Sequence, residues 1–286
     1  MNSFSEVRPP QLAGQWYPAN PQSLAKEVDG YINAAYIGIL EGDVVAVMAP
    51  HAGYIYSGSV AGYAFAAVTN LNPELVIVIS PMHQPYYAPV MTSAHSAYST
   101  PLGEIPVNQE IVKSLSSVLN DESGLKLVEV FNDPEHSIEI ELPFLQRALK
   151  SNFQLLPIML RDQSAFMART LSDALFQTLT RFGLTKKGSV ILVASTDLSH
   201  YYSQQRAKLL DSELLKQVEM FDPEGVIRIE EQGKGYACGR GALSTVMWAA
   251  KALGANRAKI LKYATSGDVS GDFDRVVGYA AAAFYH

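Results

Sequence analysis

The sequence contains a single cysteine, Cys238, among its 286 residues. An internal disulfide is therefore excluded. A lone cysteine leaves three alternatives: a small residue packed in the core, a reactive thiol, or a metal ligand.

Long apolar runs and a signal peptide are also missing. Nowhere does the chain contain the run of about 18 consecutive apolar residues that marks a transmembrane helix. Residues 1–17 lack the apolar segment of a signal peptide. We therefore expect a soluble, cytoplasmic protein with no membrane partner.

Basic residues are outnumbered by acidic ones, 22 to 28, which gives a net charge of −6. Proteins that bind nucleic acids usually carry a basic patch, so nucleic acid is not an expected partner. No internal repeat or low-complexity linker divides the chain. We predict a single α/β domain over residues 1–286, with a central mixed, mostly parallel sheet flanked by helices.

Three apolar runs, at 44–49, 75–80 and 189–194, have the composition of strands that are covered on both faces. Each run is followed by a polar segment with a histidine: His51, His83 and His200, the last with Asp197 three residues before it. In open α/β sheets, ligands bind at the carboxyl ends of the strands. The three histidines are therefore expected at one site.

Two more residues have comparable positions. The stretch 133–145 is predicted to begin a helix with Asp133 as its N-cap and a kink or short break at Pro143, which places His136 in the first turn. Cys238 directly precedes a predicted helix at 241–253, a position that lowers the pKa of a thiol and favours the thiolate. His95 and His286 lack such contexts and are treated as ordinary histidines.

Two imidazoles and one thiolate that meet at a sheet edge would form a three-ligand metal site with open positions for water, oxygen or substrate. Two histidines with one anionic ligand are similar to the facial triad of non-haem Fe(II) enzymes, whereas thiolate and imidazole also suit zinc and copper. The spacing does not choose between these metals.

Several motifs, in this order, resemble those of the MEMO family, whose bacterial and archaeal members are often called AmmeMemoRadiSam system protein B. The resemblance spans nearly the whole chain, and its motifs are Ala13–Pro18, Ala49-Pro50-His51-Ala52-Gly53-Tyr54, Ser80-Pro81-Met82-His83, Glu135-His136-Ser137-Ile138-Glu139, Ser195-Thr196-Asp197-Leu198-Ser199-His200, Ala237-Cys238-Gly239-Arg240 and Ser270–Ala281.

The resemblance implies a LigB-like, phosphorylase-like architecture, similar to class III extradiol dioxygenases, in which two histidines and a carboxylate hold Fe(II). By this resemblance His51 and His83 are metal ligands, and Cys238 takes the place of the carboxylate. Fe(II) is the expected ion, with copper or zinc as alternatives.

Catalytic and binding roles are expected for five further residues. The resemblance implies that His200 is a general acid/base and that His136 lines the pocket, and we expect Asp197 to orient His200. Tyr54 and Arg240, which lie in the same motifs, are expected to bind substrate.

Three functions follow as hypotheses. The first is a metal-dependent redox enzyme, similar to a dioxygenase, that acts on a small aromatic molecule. The second is a binding module without turnover that recognises phosphotyrosine-like ligands in the same cleft, as mammalian relatives are described to do. The third is a zinc hydrolase. The resemblance also implies association with an AMMECR1-like protein and a radical SAM protein.

Overall fold

The computed structural model describes residues 6–286, so the first five residues of the predicted domain 1–286 lie outside the described part. In the described part, the strands are β1 (Val7–Arg8), β2 (Val44–Ala49), β3 (Leu75–Pro81), β4 (Val90–Ser93), β5 (Ala97–Thr100), β6 (Gly103–Pro106), β7 (Val128–Val130), β8 (Gln154–Leu160), β9 (Val190–Ser195), β10 (His200–Tyr202), β11 (Arg257–Thr265) and β12 (Val276–Tyr285).

Helices alternate with most of these strands. They are α1 (Pro21–Ala34), α2 (Tyr54–Ala66), α3 (Gln109–Ser123), α4 (Leu142–Ala148), α5 (Ala165–Arg181), α6 (Gln204–Glu219), α7 (Pro223–Glu231), α8 (Arg240–Ala252) and α9 (Gly267–Ser270), and a 3-10 helix spans Glu139–Glu141. No helix between residues 6 and 286 is both long enough and apolar enough to cross a membrane.

Nine strands form one mixed sheet in the order β10-β12-β2-β9-β3-β8-β4-β7, with β11 paired to β12. The central pairs β2–β9, β9–β3 and β3–β8 are parallel, while β12 and its partners are antiparallel. Strands β1, β5 and β6 form a separate small sheet. The predicted α/β fold with a central mixed sheet is therefore confirmed, and its parallel pairs are concentrated at the centre.

The central strands form the core of the molecule. Every residue of β2, β3 and β9 is buried, as their near-continuous apolar sequences predict for strands covered on both faces. Helix α8 packs on all three of these strands, and α2 packs on β2 and β12. In α2, a Cβ at Gly62 would lie 2.5 Å from the carbonyl oxygen of Tyr31. Glycine there allows α1 and α2 to pack closely.

Candidate metal centre

The carboxyl ends of three neighbouring parallel strands define the candidate site. Strand β9 lies between β2 and β3, and all three run in the same direction. His51 follows β2, His83 follows β3, and the segment 195–200 begins at the end of β9. The sheet therefore brings the polar segments together at one edge, as parallel strand order requires.

His51, His83 and His136 form a cluster at this edge. One ring nitrogen of each lies within 4.8 Å of one in the others. The ring centroid of His51 lies 5.3 Å from that of His83 and 5.3 Å from that of His136. The rings of His83 and His136 stack, with their centroids 4.7 Å apart. His51 is fully buried, whereas His83 and His136 are partly accessible.

Hydrogen bonds determine the tautomer of His51. The hydroxyl of Ser195 donates to the carbonyl oxygen of Ser137 at 2.6 Å. Because this uses its only proton, Ser195 Oγ accepts the proton on Nδ1 of His51 at 2.9 Å. The lone pair of His51 is therefore on Nε2. Metal-binding histidines usually have their second ring nitrogen held in this way.

Glu135 performs the same role for His83 and lies beside the ring of His136. Its Oε1 accepts from Nδ1 of His83 at 2.9 Å and lies 3.3 Å from Nδ1 of His136. It also accepts the backbone N–H groups of His83, His136 and Ser137. Nε2 of His83 and of His136 has no hydrogen-bond partner in the described part of the chain, so both nitrogens are available as ligands.

The electrostatics of the cluster follow from this arrangement. Burial alone raises the pKa of Glu135, but the hydrogen bond from His83 and the charges of both histidines hold it well below its ordinary value. Burial lowers the pKa of His51 well below its ordinary value and, with the charge of His83, lowers that of His136 to about 4. Near neutral pH the imidazoles of His51 and His136 are therefore neutral, and the Glu135 carboxylate beside them is ionised. Sequence reasoning missed Glu135, and its position directly before His136 was the available signal.

Cys238 lies at the same edge, directly before Gly239 and helix α8. Its Sγ is 3.2 Å from Nε2 of His51 and accepts the backbone N–H of Asp197 at 3.2 Å. A Cβ at Gly239 would lie 2.7 Å from the carbonyl oxygen of Ser195, so glycine permits this approach. The predicted lowering of the thiol pKa is wrong, because burial and the nearby Asp197 carboxylate raise it.

Asp197 and His200 do not pair as expected. The Asp197 carboxylate accepts the backbone N–H of His51 at 2.8 Å, and burial raises the pKa of Asp197 to about 7. His200 donates from Nδ1 to the carbonyl oxygen of Leu198 at 2.7 Å, so the backbone orients its ring. The roles of both side chains in catalysis stay predictions.

The two expected substrate-binding residues lie in different surroundings. The Tyr54 side chain is 2% exposed, and its hydroxyl donates to the carbonyl oxygen of Ile140 at 2.9 Å, so it packs in the core. Arg240 is partly buried and donates to Glu230 and to the carbonyl oxygen of Gln163. Contact of either with substrate stays a prediction, and neither position supports it.

A buried arginine supports the segment that carries Glu135 and His136. Arg8, 1% exposed, pairs with Asp133 at 3.1 Å and with Glu139 at 2.7 Å, and it donates to the carbonyl oxygen of Glu135 at 2.7 Å. The predicted helix start at Asp133 is therefore wrong. Residues 133–138 form an irregular segment held by Arg8, the 3-10 helix follows, and α4 begins at Leu142.

The donor set fits a metal ion. Nitrogen ligands bound at about 2.1 Å can be at most about 4.2 Å apart, so the 4.8 Å spread of the histidine cluster requires only a small side-chain shift. The 3.2 Å between His51 Nε2 and Cys238 Sγ is already within range of one shared ion. Histidine ligands usually have the second ring nitrogen hydrogen-bonded, as Nδ1 is in His51 and His83.

Comparisons with known proteins cover almost the whole chain. A family model described as Memo-like protein matches residues 8–283. The chain is 36% identical over 283 residues to a MEMO1 family protein of Nitrosopumilus maritimus, covering 97% of this chain and 99% of that protein. It is 37% identical over 278 residues to a MEMO1 family protein of Methanosarcina mazei, covering 96% and 98%.

Among solved structures, an uncharacterized protein, JW3007, from Escherichia coli K12 aligns with a TM-score of 0.41 and 15% identity. The alignment covers 74% of this chain and 86% of that chain. A likeness of this strength carries no conclusion about fold or function.

Proposed function

The chain belongs to the Memo-like protein family, and from this premise we propose that it is a metal-dependent redox protein with a non-haem site at the carboxyl ends of β2, β9 and β3. The observation that carries this proposal is the cluster of three histidines, in which Ser195 and Glu135 accept from Nδ1 of His51 and His83 and Glu135 lies 3.3 Å from Nδ1 of His136.

The proposed ligands are His51, His83 and Cys238, and His136 is the competing third ligand. His51 and Cys238 are supported by their 3.2 Å contact. His83 and His136 are supported by their place in the histidine cluster. Fe(II) is the proposed ion, because two histidines with one anionic ligand favour it, and copper or zinc are the alternatives.

When bound, Fe(II) would supply one-electron redox chemistry and open positions for oxygen and a small aromatic substrate. The protein's own part is to orient the ligands and to move protons. His200 is suited to hold or release a proton at Nε2, because Leu198 already accepts the proton on Nδ1. Association with AMMECR1-like and radical SAM proteins also remains a proposal.

The test is anaerobic reconstitution with Fe(II), followed by addition of nitric oxide and electron paramagnetic resonance. We expect one iron per chain with an iron–nitrosyl signal in the wild type, and loss of stoichiometric iron in His51→Ala and His83→Ala. Comparison of Cys238→Ser with His136→Ala identifies the third ligand. The third ligand is the residue whose substitution causes the larger loss of iron affinity and alters the signal.

His286→Ala is the matched control, because His286 lies beside Asp43, at the opposite end of β2 from the site. It should bind iron as the wild type does. If His51→Ala and His83→Ala retain wild-type iron content while folded, the metal centre is wrong. If the wild type binds zinc or copper with higher stoichiometry than iron, the assignment of Fe(II) is wrong, but the assignment of these residues as a metal centre is kept.

The non-catalytic alternative is supported by the contact of Trp16 with His136, whose rings are tilted by 57° with centroids 4.8 Å apart, which places an accessible aromatic ring beside the histidines. Affinity for phenyl phosphate that is unchanged by a chelator would favour this alternative over the metal-dependent one.

A further inference from the structure

A second concave site lies next to the metal centre, on the other side of Trp16. Its volume is 570 Å³, which is within the range of about 300–1,000 Å³ found for small-molecule sites. We call it the aromatic cleft. The residues that line it include Trp16, Tyr56, Tyr201, Asp272, Arg275 and Tyr279. None of these is a candidate metal ligand.

Aromatic rings form much of the cleft. Trp16, Tyr56 and Tyr201 are 37%, 41% and 65% exposed, although they come from three distant parts of the chain. Tyr279, which is buried, also lines it. Several large rings left accessible around one concavity are typical of a binding site for a planar or apolar group.

The backbone at Tyr201 is unusual in a way that serves the cleft. Its φ is +62°, which is uncommon for a residue other than glycine. The pairing of β10 with β12 is also irregular between His200 and Tyr202. Such bulges often redirect side chains next to functional sites. At this irregularity His200 donates to the carbonyl oxygen of Leu198, while the side chain of the next residue, Tyr201, lines the cleft.

Two opposite charges complete the lining, and they do not pair with each other. The guanidinium of Arg275 lies 5.5 Å from the ring centroid of Tyr201 and has no ion-pair partner among the described residues. One carboxylate oxygen of Asp272 accepts the backbone N–H of Asp274. Its other carboxylate oxygen has no hydrogen-bond partner among the described residues. Among residues 6–286, no other charged side chain lines the cleft.

We propose that the aromatic cleft binds a free aromatic α-amino acid as its zwitterion. The aromatic side chain would pack on Trp16 and Tyr201, the carboxylate would pair with Arg275, and the ammonium group with Asp272. A ligand with a single charge would leave one of the two protein charges unmatched. Asp272 and Arg275 are three residues apart, at most about 10 Å along the chain, so both can reach adjacent groups of one small molecule. Guanidinium is also well suited to bidentate pairing with a carboxylate.

The experiment uses tryptophan fluorescence of the chelator-treated protein, so that its outcome does not depend on the metal centre. The chain has two tryptophans, and a Trp248→Phe background leaves Trp16 as the only one. The probes are L-phenylalanine, L-phenylalaninamide, which lacks the carboxylate, and N-acetyl-L-phenylalanine, which lacks the ammonium group. Saturation-transfer NMR on L-phenylalanine gives a second, ligand-observed measurement.

We expect saturable quenching by L-phenylalanine and affinities about 10-fold or more lower for both derivatives, because each loses a charged hydrogen bond. Arg275→Gln should lower the affinity for L-phenylalanine by a similar factor and leave the affinity for the amide unchanged. Asp272→Asn should also lower the affinity for L-phenylalanine, but leave the affinity for the N-acetyl probe unchanged. Tyr201→Asn removes the ring in a residue type that tolerates positive φ, and should weaken all three probes.

Arg257→Gln is the matched control, since Arg257 is an exposed arginine that pairs with Glu41 at the start of β11. It should leave all affinities unchanged. Absence of binding by both measurements in the folded protein would overturn the proposal. Equal affinity for all three probes would overturn the zwitterion, and so would tight binding of N-acetyl-L-phenylalanine alone, which would indicate an aromatic anion instead.

Discussion

Substitution of Arg8 by methionine should destabilise the protein by about 3–5 kcal/mol, since removal of one partner leaves a buried charge without compensation. Arg8 is 1% exposed, and its guanidinium pairs with Asp133 and Glu139, whose side chains are 1% and 0% exposed. Methionine fills a similar space, so little of the loss would come from a cavity. Equilibrium unfolding in urea, followed by far-UV circular dichroism, measures the change.

Arg147→Met is the control for this prediction. Arg147 also pairs with an aspartate, Asp29, through two nitrogens, but these side chains are 40% and 37% exposed. Its loss should cost less than about 1 kcal/mol. If the two variants lose the same free energy of unfolding, burial of the Arg8 ion pairs does not stabilise this fold and the reasoning fails.

Three further predictions concern the site and the helix packing. Glu135→Gln should weaken metal binding by about 10–100-fold, measured by competition with a chelator, and unchanged affinity would contradict its role in orienting His83 and His136. Because the pKa of His136 is lowered to about 4 in the fold, below the unfolded value of about 6.5, the unfolded chain binds more protons between these values. The metal-free protein should therefore lose up to about 3 kcal/mol as pH falls through that window, and His136→Gln should reduce this slope in urea unfolding at several pH values. Gly62→Ala, whose Cβ would meet the Tyr31 carbonyl at 2.5 Å, should destabilise by about 1–3 kcal/mol. Gly30→Ala, which has open space in α1, should stabilise by about 0.5–1 kcal/mol, and the reverse order of urea midpoints would refute the packing argument.

The sequence predicted the central sheet well because each central strand is a short, near-continuous apolar run that ends in a proline or a polar residue. The run at 44–49 is β2 without any change of bounds, the run at 75–80 is one residue shorter than β3, and the run at 189–194 is shifted by one residue from β9. Histidines that follow such runs meet wherever the strands are parallel neighbours. His51 and His83 could therefore be placed at one edge without a structure.

Long-range pairing was beyond the reach of the sequence. The segment from Asp133 has the local features of a helix start, but Arg8, 125 residues away, takes the Asp133 carboxylate instead. Glu135 likewise belongs to the site because it bonds to His83, 52 residues away, and the spacing along the chain does not reveal this contact. The pKa of the Cys238 thiol also depends on the three-dimensional surroundings, because burial outweighs the effect of the nearby helix terminus.

During synthesis on the ribosome, Arg8 is made long before the carboxylates that neutralise it. Its partners Asp133 and Glu139 follow 125 and 131 residues later, which at about 5–20 residues per second is roughly 6–26 s. For that period, the segment around β1 has no ion pair that would repay the transfer of a guanidinium out of water. The amino-terminal segment therefore joins the fold late, and a nascent chain that stops before residue 133 should expose this segment to proteases.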